Sequence, residues 1–494
     1  MKRRQITILC VAAAGLFCAL AAPASSARAA AVEMKAGVAK AVITNTEPLV
    51  MVNGRVSRGV LRDIHARALV LNDGTSRFVI ITYDLNCLDV ATPILRARVQ
   101  DELGIDPSRL ILLATNNHNA PIQIVPDNFD YGHWLAGRMF ELIQEAIASE
   151  RGPVRISFGS GHGDFITSRG NAPVDYEIQV LKVADAERTL ALLFSHGTHP
   201  MQASRYEIEA GHPGFAMDEV EARIPGVQAM YADASGGNQF PLSPRGFDLP
   251  REPRGKIESD ELREAAARAL GQELAEAVVE IATGELRDVS GPIQSKLEIL
   301  PLPLAPPISR EEALELAKEF PEDVGFVVYT KSPHRGTNWV RMLLRYYEKG
   351  LPFPTKTTDM IGTDDTYLIH KSDEELLDKY DYSIHDRFPN VYEEIIVSRI
   401  GSLMFVAMQG EVCAPIGARI KDAFRRDMPI MVFGYMGEHN LYIPTRELVR
   451  QKAYQGIVIQ IQYASPVGWA PEVEDEMVAG VVRMVRSMAE APPP

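Results

Sequence analysis

The sequence predicts an α/β fold. Short apolar runs rich in Val, Ile, Leu and Phe recur along it, helical patterns separate many of them, and the runs end in polar, chemistry-bearing residues. Phe78–Thr82 ends in Tyr83-Asp84-Leu85-Asn86, and Leu110–Ala114 in Thr115-Asn116-Asn117-His118-Asn119. Leu190–Phe194 ends in Ser195-His196-Gly197-Thr198-His199, and Val227–Tyr231 leads to Asp233-Ala234-Ser235-Gly236-Gly237-Asn238. Leu403–Met408 ends in Gln409-Gly410-Glu411, and Ile430–Phe433 leads on to Glu438-His439-Asn440 and Tyr442. Runs of this length and β-branched content read as buried strands. Helices are expected between them at Pro93–Leu103, His133–Ser149, Asp260–Ala282, Arg310–Phe320 and Val412–Arg425. Loops after strand C-termini gather at one edge in such folds, and ligands bind there. One polar strand end is an ordinary turn. Six carrying Asp, Asn, His, Glu and Tyr predict a composite site. Pro301–Pro389 has weaker strand signals and reads as an insertion or lid-like subregion within a single domain over 30–490.

The 494 residues are 46% hydrophobic, which excludes a disordered chain and allows a large core. With 51 Lys and Arg against 65 Asp and Glu, the charge balance argues against a nucleic-acid partner, because counterion release needs clustered cations. At the N-terminus Lys2, Arg3 and Arg4 precede an apolar stretch from Ile6 to Ala22, and Ala27-Arg28-Ala29 supplies the small residues that a signal peptidase reads. Residues 1–29 are therefore expected to be a signal peptide, and the mature protein to be periplasmic or secreted. No later segment is apolar for long enough to span a bilayer. Cleavage after Ala29 leaves Cys87 and Cys413, which excludes a disulfide framework and leaves one bridge or two buried thiols.

The familiar short motifs are missing: there is no His-Glu-x-x-His helix, phosphate-binding loop, dinucleotide fingerprint or Gly-x-Ser-x-Gly elbow. What remains is a dispersed set of His118, His196, His199, Glu411, His439 and Tyr442. Two or three imidazoles with one carboxylate and an open position can build a catalytic zinc site. Spacing alone does not choose between that and hydrogen-bonded core histidines. His199 follows His196 by three residues across Gly197, so no helical face brings the two imidazoles together.

Taken in order, several segments resemble the N-terminal domain of the neutral/alkaline, non-lysosomal ceramidases. They are Ala36-Gly37-Val38-Ala39-Lys40, the stretch from Asp63 to Leu71, Asp84, the segment from Thr115 to Pro121, Arg169 ahead of Val174-Asp175, His196-Gly197-Thr198, Pro213-Gly214-Phe215-Ala216, Gly410-Glu411 and Tyr442-Ile443-Pro444-Thr445. The resemblance covers roughly residues 36 to 470. It implies mixed β-sheets flanked by helices, and an exported zinc amide hydrolase acting on an N-acyl bond, which in ceramidases is that of the sphingolipid ceramide. Carried over by residue, it makes His196, Glu411 and Tyr442 zinc ligands and sets Arg169 near the polar head of a small-molecule or lipid N-acyl substrate. The remaining ligand belongs to a segment that reads Asn116-Asn117-His118 here, so Asn116 stands where the family has its ligand histidine, and His118 is left to complete the site and share in catalysis. Asp84, Asn116, Asn238, His199 and His439 are expected to orient ligands or bind substrate.

Two further departures bear on activity. Phe240 stands where the family's proposed nucleophilic serine would be, and it can neither attack a carbonyl nor donate a hydrogen bond. Gly211 replaces an Asp common among relatives. The family's extra C-terminal β-sandwich is not expected in a chain that stops at Pro494. Two functions therefore compete: a hydrolase that uses metal-activated water in place of the serine, and a non-catalytic binding protein on the same fold.

Overall fold

The computed structural model describes residues 33–123, 128–169, 172–244, 259–318, 337–360, 393–438, 441–461 and 465–491. The expected signal peptide, His439 and much of the 301–389 stretch lie outside them. In chain order the first group of elements is β1 (Lys35–Val42), β2 (His65–Asn72), β3 (Arg77–Tyr83), α1 (Ala91–Leu103), β4 (Leu110–Ala114) and α2 (Phe129–Ala148). The second is β5 (Arg155–His162), β6 (Ile166–Ser168), β7 (Glu177–Ala184), β8 (Thr189–His196), α3 (Gly211–Arg223), β9 (Gln228–Asp233), β10 (Gln239–Pro241), α4 (Asp260–Thr283) and β11 (Arg287–Asp288). The third opens with β12 (Ile293–Ile299), α5 (Arg310–Lys318), α6 (Thr337–Lys349), β13 (Glu394–Ile400), β14 (Leu403–Met408) and β15 (Glu411–Val412). It closes with α7 (Ala414–Asp422), β16 (Ile430–Phe433), β17 (Tyr442–Ile443), α8 (Arg446–Arg450), α9 (Tyr454–Ile461) and α10 (Val473–Glu490).

These elements build one arrangement three times. The orders β1-β2-β3-β4, β5-β7-β8-β9 and β12-β13-β14-β16 each start with two antiparallel pairings and finish with a parallel one. A parallel pair needs a crossover, and a helix supplies it each time: α1 between β3 and β4, α3 between β8 and β9, α7 between β14 and β16. β11 adds an edge strand to the second sheet. The fold is thus mixed α/β, with the predicted strands paired in mixed sheets.

Inner faces of the three sheets meet in one core that holds Leu69, Ile80 and Ile111 from the first, Leu181, Leu193 and Met230 from the second, and Ile396, Phe405 and Met431 from the third. Each outer face is covered by its own helices. Leu95, Leu135 and Phe140 pack on the first sheet, Met217, Leu270 and Val278 on the second, Ile416, Val458 and Val481 on the third. Strands buried on both faces explain why they read as continuous apolar runs instead of alternating ones. The described part of the 301–389 stretch enters between β12 and β13, where Val340 and Leu343 of α6 pack on Ala313 of α5. Among the described residues no helix is long and apolar enough to cross a membrane.

This architecture fixes where the site can lie. The parallel pairs β3/β4, β8/β9 and β14/β16 all carry their polar segments at the C-terminal end, and one network of hydrogen bonds joins those segments. Asn86 after β3 donates to Asn116 after β4 (2.7 Å), and the Asn116 amide reaches Asp233 at the end of β9 (3.4 Å). Asp233 accepts the Thr198 N–H after β8 (3.0 Å), and Tyr435 after β16 reaches Glu411 after β14 (3.5 Å). All six polar ends converge.

Candidate functional site

At the centre of this convergence is His199. The Gln239 carbonyl lies 3.1 Å from its Nδ1 and also accepts its backbone N–H at 3.1 Å. A carbonyl can only accept, so Nδ1 carries a ring proton. Nε2 lies 2.9 Å from the Tyr442 hydroxyl and 3.4 Å from the Glu411 carboxylate. β15 and β17 pair in register at Glu411 and Tyr442, which fixes their spacing. His199, Glu411 and Tyr442 are all buried.

Close backbone approach makes the cluster possible. Gly410 has φ 86°, and a Cβ on Gly237 would come within 2.4 Å of the Glu411 carbonyl oxygen. Non-glycine residues with positive φ also flank the site, Asn116 at 57° and Tyr435 at 55°. Conformations of that kind persist only where the surroundings enforce them, and they gather at functional sites.

Phe240 stacks on His199 with centroids 4.7 Å apart, and the Arg169 guanidinium lies 4.6 Å from the centroid of the same ring. His118 meets His199 edge-on at 5.5 Å, while its Nε2 lies 3.2 Å from the Asn116 Oδ1. Asn238 accepts the Ala414 N–H at the start of α7 (2.7 Å), satisfying one of the donors a helix leaves open, and its carbonyl accepts the Arg169 N–H (3.0 Å). Asp84 is bound into a buried ion pair with Arg67 (3.1 Å) and accepts the His65 N–H (2.8 Å). Burial raises the Asp233 carboxyl well above the usual range, and the nearby Glu411 charge adds to the rise.

His196 faces elsewhere. Counting by twos along β8 sets it on the side of Leu192 and Phe194, against α3 and α4. Its ring meets Phe165 at 4.8 Å, and burial lowers its pKa to about 4. His212, in the same region, is lowered to about 3 by burial and by His196, and its Nδ1 accepts the Met201 N–H at 3.0 Å.

The whole fold was compared with known proteins. Neutral ceramidase from Pseudomonas aeruginosa superposes with a TM-score of 0.66 at 18% sequence identity, over 93% of this chain and 75% of that one. The chain has the neutral ceramidase fold. A ceramidase complexed with C2 gives the same TM-score of 0.66 at 17% identity, over 94% of this chain and 76% of that one. No family model matches the sequence, and no curated protein matches it either.

On this ceramidase fold the expected site residues separate. Glu411, Tyr442, His118, Asn116 and Arg169 lie in or beside the cluster; Asn238 ties its strands to α7; Asp84 belongs to an ion pair of the first sheet; His439 lies outside the described residues. The imidazole beside Glu411 and Tyr442 is that of His199, and the His196 ring packs on Phe165. Among the described residues no group of three or more His, Cys, Asp or Glu could hold a metal ion. Tetrahedral ligand atoms at zinc distances stand about 3.3 Å apart, close to the 2.9 and 3.4 Å that separate His199 Nε2 from Tyr442 and Glu411. Cys87 and Cys413 are both buried and free.

Tyr435 and the Gln239 carbonyl escaped the sequence reading, and Asp233 entered it without a role in the site. Asp233 was legible as the polar end of its run. Tyr435 had only its place just after Phe433. A backbone carbonyl leaves no signal in a sequence.

Proposed function

We propose that this protein is a hydrolase of an amide or N-acyl bond, centred on His199, Glu411 and Tyr442. The observation that carries the reading is the setting of His199: a buried imidazole whose Nδ1–H is held by a backbone carbonyl and whose Nε2 faces a phenol and a carboxylate. That is how proteins prepare an imidazole for ligation or for proton transfer. The ceramidase fold, together with the segments quoted above, supports the N-acyl class. A groove of about 560 Å³ lined by Ile308, Leu316, Trp339, Ile457 and Trp469 fits an acyl chain.

Zinc is the cofactor of this reading, held by His199 Nε2, Glu411 and Tyr442, with His118 beside them. Bound zinc would polarise the substrate carbonyl and lower the pKa of a water towards neutrality. The chain's own residues do the rest. Gln239 keeps the proton on Nδ1, so Nε2 stays available. Glu411 and Tyr442 set their oxygens beside Nε2, where both would be ligand atoms of the bound ion. Arg169 offers a fixed cation to negative charge developing on the carbonyl oxygen. Export to the periplasm or beyond belongs to the same proposal and rests on the N-terminal pattern; a mature protein whose mass begins at Ala30 would support it.

The test is hydrolysis of a fluorescent N-acyl sphingosine, measured beside zinc content in protein purified without added metal. The wild type is expected to carry about one zinc and to release the acyl product, with Glu411→Gln losing at least ~100-fold in rate. A wild type that neither holds zinc after add-back nor turns over any N-acyl substrate would leave the binding protein as the better reading.

A further inference from the structure

One hydrogen bond to Gln239 holds the Nδ1 proton of His199 but does not fix the plane of its ring. Three rings bear on that plane: His118 edge-on at 5.5 Å, Tyr442 13° from parallel at 6.2 Å and, nearest of the three, Phe240. Its buried ring lies 24° from parallel with the imidazole at a centroid separation of 4.7 Å. The ring is itself rigidly mounted, because β10 pairs with β6 in the register Gln239↔Ser168 and Phe240↔Thr167. The same two-stranded ribbon supplies the Gln239 carbonyl, and Arg169, directly after β6, lays its guanidinium over the Phe240 ring at 4.6 Å. Arg169 is tied to the ribbon through its N–H on the Asn238 carbonyl at 3.0 Å. A residue that resemblance would have as a nucleophile is here the middle member of an Arg–Phe–His stack.

We propose that Phe240 is a positioning residue, which holds the plane of the His199 imidazole so that Nε2 stays on Tyr442 and Glu411 while Nδ1–H stays on Gln239. Its catalytic consequence rests on the function proposed above; its effect on the geometry of His199 does not. Aromatic stacking favours the stacked arrangement by a factor of roughly 2 to 10. Without the ring, the imidazole can tilt, break the Nδ1–H bond and admit solvent.

The experiment is nitrogen-edited NMR of the His199 ring in the full chain, reading the tautomer and the exchange of the Nδ1 proton with water. In the wild type a single tautomer and slow exchange are expected. Phe240→Leu is expected to speed exchange of the Nδ1 proton by about tenfold. Phe240→Tyr, which keeps the ring, is expected to behave as the wild type. Phe165→Leu, which removes the ring beside His196, is the control for general loosening and is expected to leave His199 unchanged. Should Phe240→Leu fail to fold, Phe240→Met takes its place as the ring-free variant. Unchanged exchange in the ring-free variant would overturn the proposal, and so would equal acceleration in Phe165→Leu. With N-acyl substrate, the ring-free variant should lose kcat with little change in KM. A wild type without turnover would count against the hydrolase and leave the exchange result to decide the role of Phe240.

Discussion

Two histidines three residues apart at the end of β8 sit in opposite surroundings. His199 has each ring nitrogen engaged, one by a backbone carbonyl and the other by a phenol with a carboxylate beyond it. His196 reaches neither the phenol nor the carboxylate and packs against phenylalanine. Both are buried, so burial does not tell them apart. What differs is direction: the last strand residue still obeys the alternation of the sheet, whereas the loop after Gly197 is free to turn its imidazole into the convergence of six strand ends.

The contrast can be pressed at several points, from the largest expected effect downwards. Asp84 is polar and buried like the members of the cluster, yet its partner is Arg67, so its role is structural. Asp84→Ala should cost about 3–5 kcal/mol in urea unfolding, because it strands a buried guanidinium. Recovery of full stability in Asp84→Ala would move that residue to the functional side.

Next comes the pH dependence of the His196 region. Burial and the nearby His196 lower the His212 pKa to about 3, against 6.5 for a free imidazole. The unfolded chain therefore takes up a proton as pH falls through 6.5 while the folded protein does not. The contribution of His212 is fully present above pH 6.5 and is lost progressively towards pH 3. His196, near 4, has the same sign. His212→Gln should flatten this acid limb by about 3 kcal/mol, read from unfolding free energies at pH 7 and pH 4. An unchanged slope would show that the ring is protonated in the fold.

A smaller effect is expected where backbones touch. Gly237→Ala places its methyl group 2.4 Å from the Glu411 carbonyl oxygen, and should destabilise by about 1–3 kcal/mol and weaken the function of the cluster together with it. Loss of stability alone, with the cluster intact, would mean that the loop yields without moving Glu411.

Much of this was legible. The runs at 78–82, 110–114, 403–408 and 430–433 are strands because residues buried on both faces must all be apolar, and their polar ends mark the loops. The threefold arrangement of sheets was not legible, since what repeats is the order of strand pairing and crossover, not any residue period. α3 was hidden too. It opens with Gly211-His212-Pro213-Gly214, a stretch that reads as a turn. Within the site, Glu411 and Tyr442 were found by resemblance, but spacing could not say whether His196 or His199 would accompany them, because that depends on which side of one glycine the strand ends.

The most direct measurement compares His199→Gln with His196→Gln for zinc content and for hydrolysis of the fluorescent N-acyl sphingosine. His199→Gln is expected to lose both, with a rate at least ~100-fold down, while His196→Gln keeps its zinc and its turnover and loses about 1 kcal/mol of stability. The reverse pattern, with zinc and activity lost in His196→Gln and kept in His199→Gln, would contradict the role given to His199.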